Sequence, residues 1–231
     1  GTQFDCKIQE NGIWYAIDLM MNQDASFYLD TRYLRKWALE NLTGKQVLNT
    51  FAYTGSLGVA ALASGASQVL QLDLNRHFLS LAQASYALNG LPYQASNFLA
   101  GDFFTWISRL KRSGELFDCV FLDPPYFSIT SQGKVDQANE AHRLINKVRP
   151  LIRENGWLVA INNSLFTSGV DYLQILNNLC ADGYLAIEQL IPVPAHVCGY
   201  PHTIRSQPPA DPAPFNHPTK IAVLRITSRK S

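Results

Sequence analysis

The chain has 231 residues, is 47% hydrophobic and 16% charged, and carries a formal net charge of +1. That length and apolar content suit one large domain, or one domain with a small extension, around a substantial core. No apolar run reaches the roughly 20 residues that span a bilayer, the four cysteines are too scattered for a disulfide framework or zinc ribbon, and the near-neutral charge lacks the basic excess of a dedicated nucleic-acid binder.

The opening "FDCKIQENGIWYAIDL" holds two alternating stretches around Asn11-Gly12, a hairpin signal. Residues 1–30 are read as a hairpin and extension, and 31–231 as the main domain. Residues 32–42 read as a helix ended by Thr43-Gly44. A regular alternation follows. "QVLNTFAYTG" is a buried strand entering a turn, and 56–65 form an Ala-rich helix. "QVLQLDL" is the second strand of the series, with Asn75 capping a helix that runs to Asn89-Gly90. "NFLAGD" precedes a helix over 103–112, and "LFDCVFLDPP" is the fourth strand. A helix around 136–149, the strand "GWLVAINN", a helix over 169–182 and the strands "LAIEQLIPV" and "KIAVLRIT" complete the pattern. Strands alternating with helices imply a Rossmann-like α/β fold: a seven-stranded, mostly parallel sheet with helices on both faces. No helix fits between the last two strands, so the last is expected to be antiparallel. Eight of the 12 prolines fall between Pro192 and Pro218, making the connection a stiff loop. In such sheets ligands bind beyond the carboxyl ends of the strands, which puts this loop on the site's rim.

The first strand of the series turns through "NTFAYTGSLG", where Gly55 and Gly58 precede a helix of small residues. Glycines let backbone approach a ligand closely, and a helix N-terminus favours negative charge. Asp73 ends the second strand, where an acid accepts ribose hydroxyls, and Asn75 stands ready to support it. Asp102 follows the third strand, where a carboxylate can accept from an adenine amine. Three such features at successive strand ends define an adenosine pocket. A nicotinamide dinucleotide needs a second close-approach glycine for its pyrophosphate, which "AYTGSLG" does not offer. S-adenosylmethionine (SAM), which has no phosphate, fits better.

At the fourth strand's end stands "DPPYFS". Proline fixes φ and lacks a donor, so Asp123-Pro124-Pro125 is expected to leave carbonyls pointing outward without internal partners. The Asp123 carboxylate and Pro124 carbonyl would accept from a planar amine, with Tyr126 stacked on its ring and Phe127 closing over it. Positioning does most of the work in displacement on an activated sulfonium.

The block from "FYLDTR" through "NTFAYTGSLGVAALASGA", "LDLNR", "ALNGL", "GDFF" and "FDCVFLDPPYFS" resembles the class I SAM-dependent methyltransferases that modify 23S ribosomal RNA, over residues 25–165. Both the guanine-N7 module and the 5-methylcytosine enzymes share the likeness. The resemblance implies a cofactor loop at Phe51, Tyr53, Thr54 and Gly55, a ribose acid at Asp73 flanked by Leu74, and an adenine-side acid at Asp102 flanked by Phe103. It implies a reacting edge at Asp123, Pro124 and Pro125, and a role for Arg32 toward the cofactor carboxylate. The 5-methylcytosine enzymes carry a nucleophilic cysteine after the fifth strand, where this chain has "INNSLF". Without that thiolate, covalent carbon methylation is not expected. The guanine-N7 enzymes resemble this chain in their paired asparagines, which makes Asn162 and Asn163 candidates for holding the target base.

The expected activity is therefore SAM-dependent transfer of a methyl group to a nucleobase nitrogen in ribosomal RNA. Methylation of a protein or small-molecule nitrogen, or binding of SAM or RNA without turnover, stands as the alternative. His196, Cys198 and His202 in "HVCGYPH" lack a fourth ligand nearby, and no metal is expected. With no charged-then-apolar leader at its start, the sequence reads as a cytoplasmic protein without membrane association.

Overall fold

The computed structural model describes residues 5–21, 26–199 and 208–227; His202 lies outside them. In chain order, β1 (Lys7–Glu10) and β2 (Ile13–Ala16) form an antiparallel hairpin around Asn11-Gly12. The two turn residues adopt φ of 51° and 81°, the left-handed region that asparagine and glycine tolerate. Then come α1 (Arg32–Asn41), β3 (Gln46–Thr50), α2 (Ser56–Ala63), β4 (Gln68–Asp73), α3 (Arg76–Leu88), β5 (Phe98–Ala100), α4 (Phe103–Ser113) and β6 (Phe117–Leu122). A second hairpin, β7 (Phe127–Thr130) and β8 (Gly133–Asp136), leads into α5 (Gln137–Val148) and β9 (Ile152–Asn162). The chain finishes with α6 (Gly169–Cys180), β10 (Leu185–Ile191), the one-turn α7 (Ala195–Cys198) and β11 (Lys220–Ile226).

Seven strands pair in the order β10-β11-β9-β6-β3-β4-β5. The β6–β9, β3–β6, β3–β4 and β4–β5 pairs are parallel, while β11 runs antiparallel to both neighbours, as expected of the last strand. Sequence pattern alone did not reveal the β7–β8 hairpin. Each arm has four residues, and "FSIT" and "GKVD" are too short and too mixed to register as strands.

The strands read as apolar runs because helices cover both faces. Adjacent residues go to opposite sides. Val47, Val69, Cys119, Val159 and Val223 pack with α1, α2 and α3. Leu48, Leu70, Val120, Leu158 and Leu224 pack with α4, α5 and α6. The hairpin is tied to the first face: Trp14 N–H donates to Asn89 Oδ1 at 2.9 Å, Asn89 Nδ2 returns a bond to the Trp14 carbonyl at 2.7 Å, and Ala16 N–H donates to Ser85 Oγ at 2.9 Å.

A charged anchor fixes the same junction. Arg35, fully buried on α1, pairs bidentately with Glu10 of β1 at 2.7 and 3.0 Å. Its remaining donors reach Thr31 Oγ1 and the Tyr28 carbonyl, and its guanidinium lies over the Phe27 ring. The segment leading into α1 is thereby held against the sheet's carboxyl edge. Among the described residues no helix is long and apolar enough to cross a membrane.

Candidate active site

The loop after β3 is shaped by what surrounds it. Phe51 and Tyr53 take φ of 54° and 51°, an uncommon region for side chains of this size. Hydrogen bonds hold them there. Ala52 N–H donates to the Leu72 carbonyl at 2.8 Å, Tyr53 N–H to Asp73 Oδ2 at 2.8 Å, and Thr54 Oγ1 to the Ser26 carbonyl at 2.7 Å. Gly55, at φ 75°, opens α2, and a Cβ there would run into Ala82 and the Gln71 amide. Gly58 works differently from the sequence reading. Its missing side chain makes room for Gln71, not for a ligand. Gln71 is fully buried, accepts from Asn49 Nδ2 at 2.8 Å and donates to the Gly55 carbonyl at 3.1 Å, so it braces the loop from beneath.

A cavity of about 480 Å³ opens at this edge, within the range of small-molecule sites. Phe51, Tyr53 and Thr54 form its floor after β3; Asp73 and Leu74 enter from the end of β4; Asp102 and Phe103 from the end of β5. Asp123, Pro124 and Pro125 follow β6, and Asn163 follows β9. Because β11 is antiparallel, its amino end reaches the same edge and contributes Thr219. Asp30 and Thr31 close the cavity from the segment before α1. The four charged side chains among these lining residues are all carboxylates, Asp30, Asp73, Asp102 and Asp123; no lysine, arginine or histidine joins them.

The acids differ in their surroundings. Asp73 accepts from Tyr53 N–H and from Asn75 N–H at 2.9 Å; burial raises its pKa above the usual carboxylate value despite these bonds. Asp102 caps α4 by accepting from Thr105 N–H at 3.0 Å, and takes the Thr130 hydroxyl at 2.6 Å. Asp123 is pushed up to about 7, chiefly by burial and then by the negative charge of Asp30. Behind it, the buried Tyr172 hydroxyl is raised by burial and by Asp123.

Several expected residues stand elsewhere. Gly55 shapes the loop without lining the cavity, and Asn75 caps α3 by accepting from His77 N–H at 2.9 Å. Arg32 points to Glu10 at 3.7 Å with a 42% exposed side chain, so it does not line the cavity. Asn162 is buried, its amide spanning the Gln137 carbonyl and Ser164 N–H, which makes it a brace for the β9 turn. The Pro124 carbonyl was expected to be free. It accepts from Gln137 Nε2 instead, while Gln137 Oε1 takes Asn163 N–H at 2.9 Å. Tyr126 and Phe127 are exposed on the rim, Tyr126 with its ring centroid 6.2 Å from that of Phe166. None of the four cysteines lines the cavity.

Asp30, Thr219, Gln71 and Gln137 escaped the sequence reading. Asp30 sits inside the "FYLDTR" block, two residues from the more conspicuous charge of Arg32. Thr219 follows a proline-rich stretch with no motif, and the two glutamines act through buried amides that no local pattern announces.

Residues 3–195 match the S-adenosylmethionine-dependent methyltransferase family. The ribosomal RNA large subunit methyltransferase I of Photobacterium profundum is 36% identical over 152 residues, 66% of this chain and 38% of that protein. Its namesake in Yersinia pseudotuberculosis is 31% identical over 179 residues, 77% of this chain and 44% of that protein. The chain thus spans about two-fifths of the length of these curated relatives. The solved structure of SMU.776 complexed with SAH superposes with a TM-score of 0.84 at 22% identity, covering 98% of this chain and 57% of that one. At that identity the likeness concerns the fold.

Proposed function

This chain belongs to the S-adenosylmethionine-dependent methyltransferase family, and from that premise we propose that it transfers a methyl group from SAM to a nucleobase nitrogen of ribosomal RNA. The observation that carries this reading is a cavity lined, among the described residues, by four carboxylates and no basic side chain, at the carboxyl ends of four adjacent parallel strands. Such a lining suits a cationic ligand and disfavours a phosphate-bearing one.

The residues present fit SAM. Backbone N–H groups of Tyr53 and Asn75 orient the Asp73 carboxylate and leave lone pairs for ribose hydroxyls. Leu74 and Phe103 supply apolar walls for adenine. Two lining side chains, Asp30 and Asn163, each have a buried Oδ1 without a hydrogen-bond partner among the described residues. When bound, SAM supplies a methyl group on a sulfonium already activated for displacement.

The chain's own task is then to hold the acceptor. Asp123 accepts from the acceptor's N–H and, with its carboxyl near 7, takes up the proton that a protonated nitrogen releases as it is methylated. Gln137 keeps the Pro124 turn rigid from behind. On the rim, Tyr126 offers a face for the base, with Phe127 and Phe166 beside it; base–aromatic stacking contributes roughly 1–3 kcal/mol. An acid-lined cavity repels the phosphate backbone, so the base enters flipped out of its stack. With no cysteine at the cavity, nitrogen is favoured over covalent carbon chemistry. Residues 1–30 are read as an extension that brings Asp30 to the main unit, 31–231. The ribosomal RNA substrate is drawn from the relatives, which are longer than this chain.

The test is methyl transfer from labelled SAM to unmodified ribosomal RNA, to protein and to small-molecule extracts, followed by nucleoside mass spectrometry. An N-methylated nucleoside is expected. Label in protein alone, or in a carbon-methylated pyrimidine, would overturn the proposal.

A further inference from the structure

Holding a ribose and an acceptor base accounts for Asp73 and Asp123, but not for Asp30. This residue lies just before α1, and its Oδ2 accepts from Thr219 Oγ1 at 2.6 Å. Its Oδ1 is shielded from water and has no hydrogen-bond partner among the described residues. Among the described residues the nearest cations are engaged elsewhere. Arg32 and Arg35 face Glu10, and Lys220 Nζ donates to the Ser164 and Pro218 carbonyls at 2.9 and 2.6 Å. His217, close enough to feel Asp30, is lowered by burial, and its Nδ1 accepts from Thr219 N–H at 3.0 Å. Lys220 keeps most of its charge and offsets part of the negative field at this wall, yet among the described residues no cation pairs with Asp30 itself.

Resting on the methyl-donor reading above, we propose that Asp30, acting with Asp123, makes the cavity select the methylated cofactor over its demethylated product by charge. SAM carries a carboxylate, an ammonium and a sulfonium, for a net charge of +1. The product, S-adenosylhomocysteine (SAH), has a neutral thioether in place of the sulfonium and a net charge of zero. Both present the same adenine, ribose and amino-acid groups, so hydrogen bonds to those groups do not separate them. The field at sulfur does. Transfer of the methyl group removes the positive charge that the wall holds, and the product's grip loosens at the step where it must leave.

The size of the effect follows from the cavity. A compact space of about 480 Å³ is roughly 10 Å across, and a separation on the order of 8 Å within it sets the scale of the attraction between a ligand cation and Asp30. At an effective dielectric constant of about 20, one unit charge at that range changes affinity by about thirtyfold, which salt and an open mouth reduce to about tenfold. Asp123 adds a pH dependence. Its ionisation near 7 strengthens the negative wall as pH rises from 6 to 7.5. The groups near it are Asp30 and, from α6, Tyr172, neutral throughout this range; Asp73 and Asp102 line the same cavity, and His217, beside Asp30, feels Lys220. Lys220, lowered to about 8, has lost a minor part of its charge by pH 7.5, a loss that acts in the same direction.

Calorimetric titration of SAM and SAH into the wild-type chain and Asp30→Asn, at pH 6 and 7.5 and at low and high salt, tests the proposal. In the variant, SAM affinity should fall about tenfold while SAH affinity stays within about twofold. In the wild type, the preference for SAM should grow with pH and shrink with salt. Equal loss for both ligands, or a preference indifferent to Asp30→Asn, would overturn it. If the variant does not fold, the wild-type pH and salt series decides alone, a flat preference refuting charge selection. Failure of either ligand to bind the wild type would instead remove the methyl-donor reading, and this proposal with it.

Discussion

Asp123→Asn removes a charge while keeping the shape of the side chain, and it should make the protein more stable but inactive. In the folded chain the carboxyl moves from 3.8 to about 7, which at about 1.36 kcal/mol per unit corresponds to about 4 kcal/mol. The side chain lines an open cavity whose water screens part of that, leaving about 2 kcal/mol. The sign follows from the raised value. A carboxyl that is harder to ionise in the folded state favours folding fully below its unfolded pKa, and loses that contribution as pH rises through about 4 to 7. Urea unfolding without ligand should show Asp123→Asn ahead of the wild type by about 2 kcal/mol at pH 8, with the gap closing toward pH 4 and methyl transfer abolished throughout. A variant that is less stable at pH 8, or a gap that does not change with pH, would refute the assignment of Asp123 as a strained acid kept for chemistry.

The remaining predictions concern binding and packing. Asp73→Ala should weaken SAM binding by about ten- to a hundredfold in calorimetry, since it removes the ribose acceptor and frees the Tyr53 and Asn75 N–H groups. Arg35→Met leaves buried Glu10 with only the long, half-exposed contact to Arg32 and should lower stability by about 3–5 kcal/mol in urea, with SAM binding lost as the Asp30 segment loosens. Gly58→Ala forces its methyl against the bonded Gln71 amide and should cost about 1–3 kcal/mol in the same assay, while Gly44→Ala, which has open space around it but φ of 73°, should lose less.

Much of the fold was legible because its signals are local. Asn11-Gly12, the capping residue Asn75, and apolar runs such as "QVLQLD" each announce their element without reference to the rest of the chain. Strand-end acids were legible for the same reason, as parallel strands deliver their carboxyl ends to one edge. What escaped was long-range. Asp30 meets Thr219 across 189 residues, and Gln137 bonds the Pro124 carbonyl from the start of a helix that sequence placed correctly but could not orient. Arg32 went the other way. Its charge made it conspicuous, yet one helical position decides which side chain faces the ligand, and here Glu10 claims it.

The interior position of β11 has a consequence for how the protein comes into being. This strand is the final one to be synthesised among those of the sheet, yet β9 and β10 flank it on either side. A nascent chain that has emerged as far as β10 therefore has a gap where a neighbour belongs, and its donor pocket lacks the threonine that steadies the acid near the amino end. Contacts this distant in sequence close slowly, so cofactor capture should be among the last properties the growing polypeptide acquires.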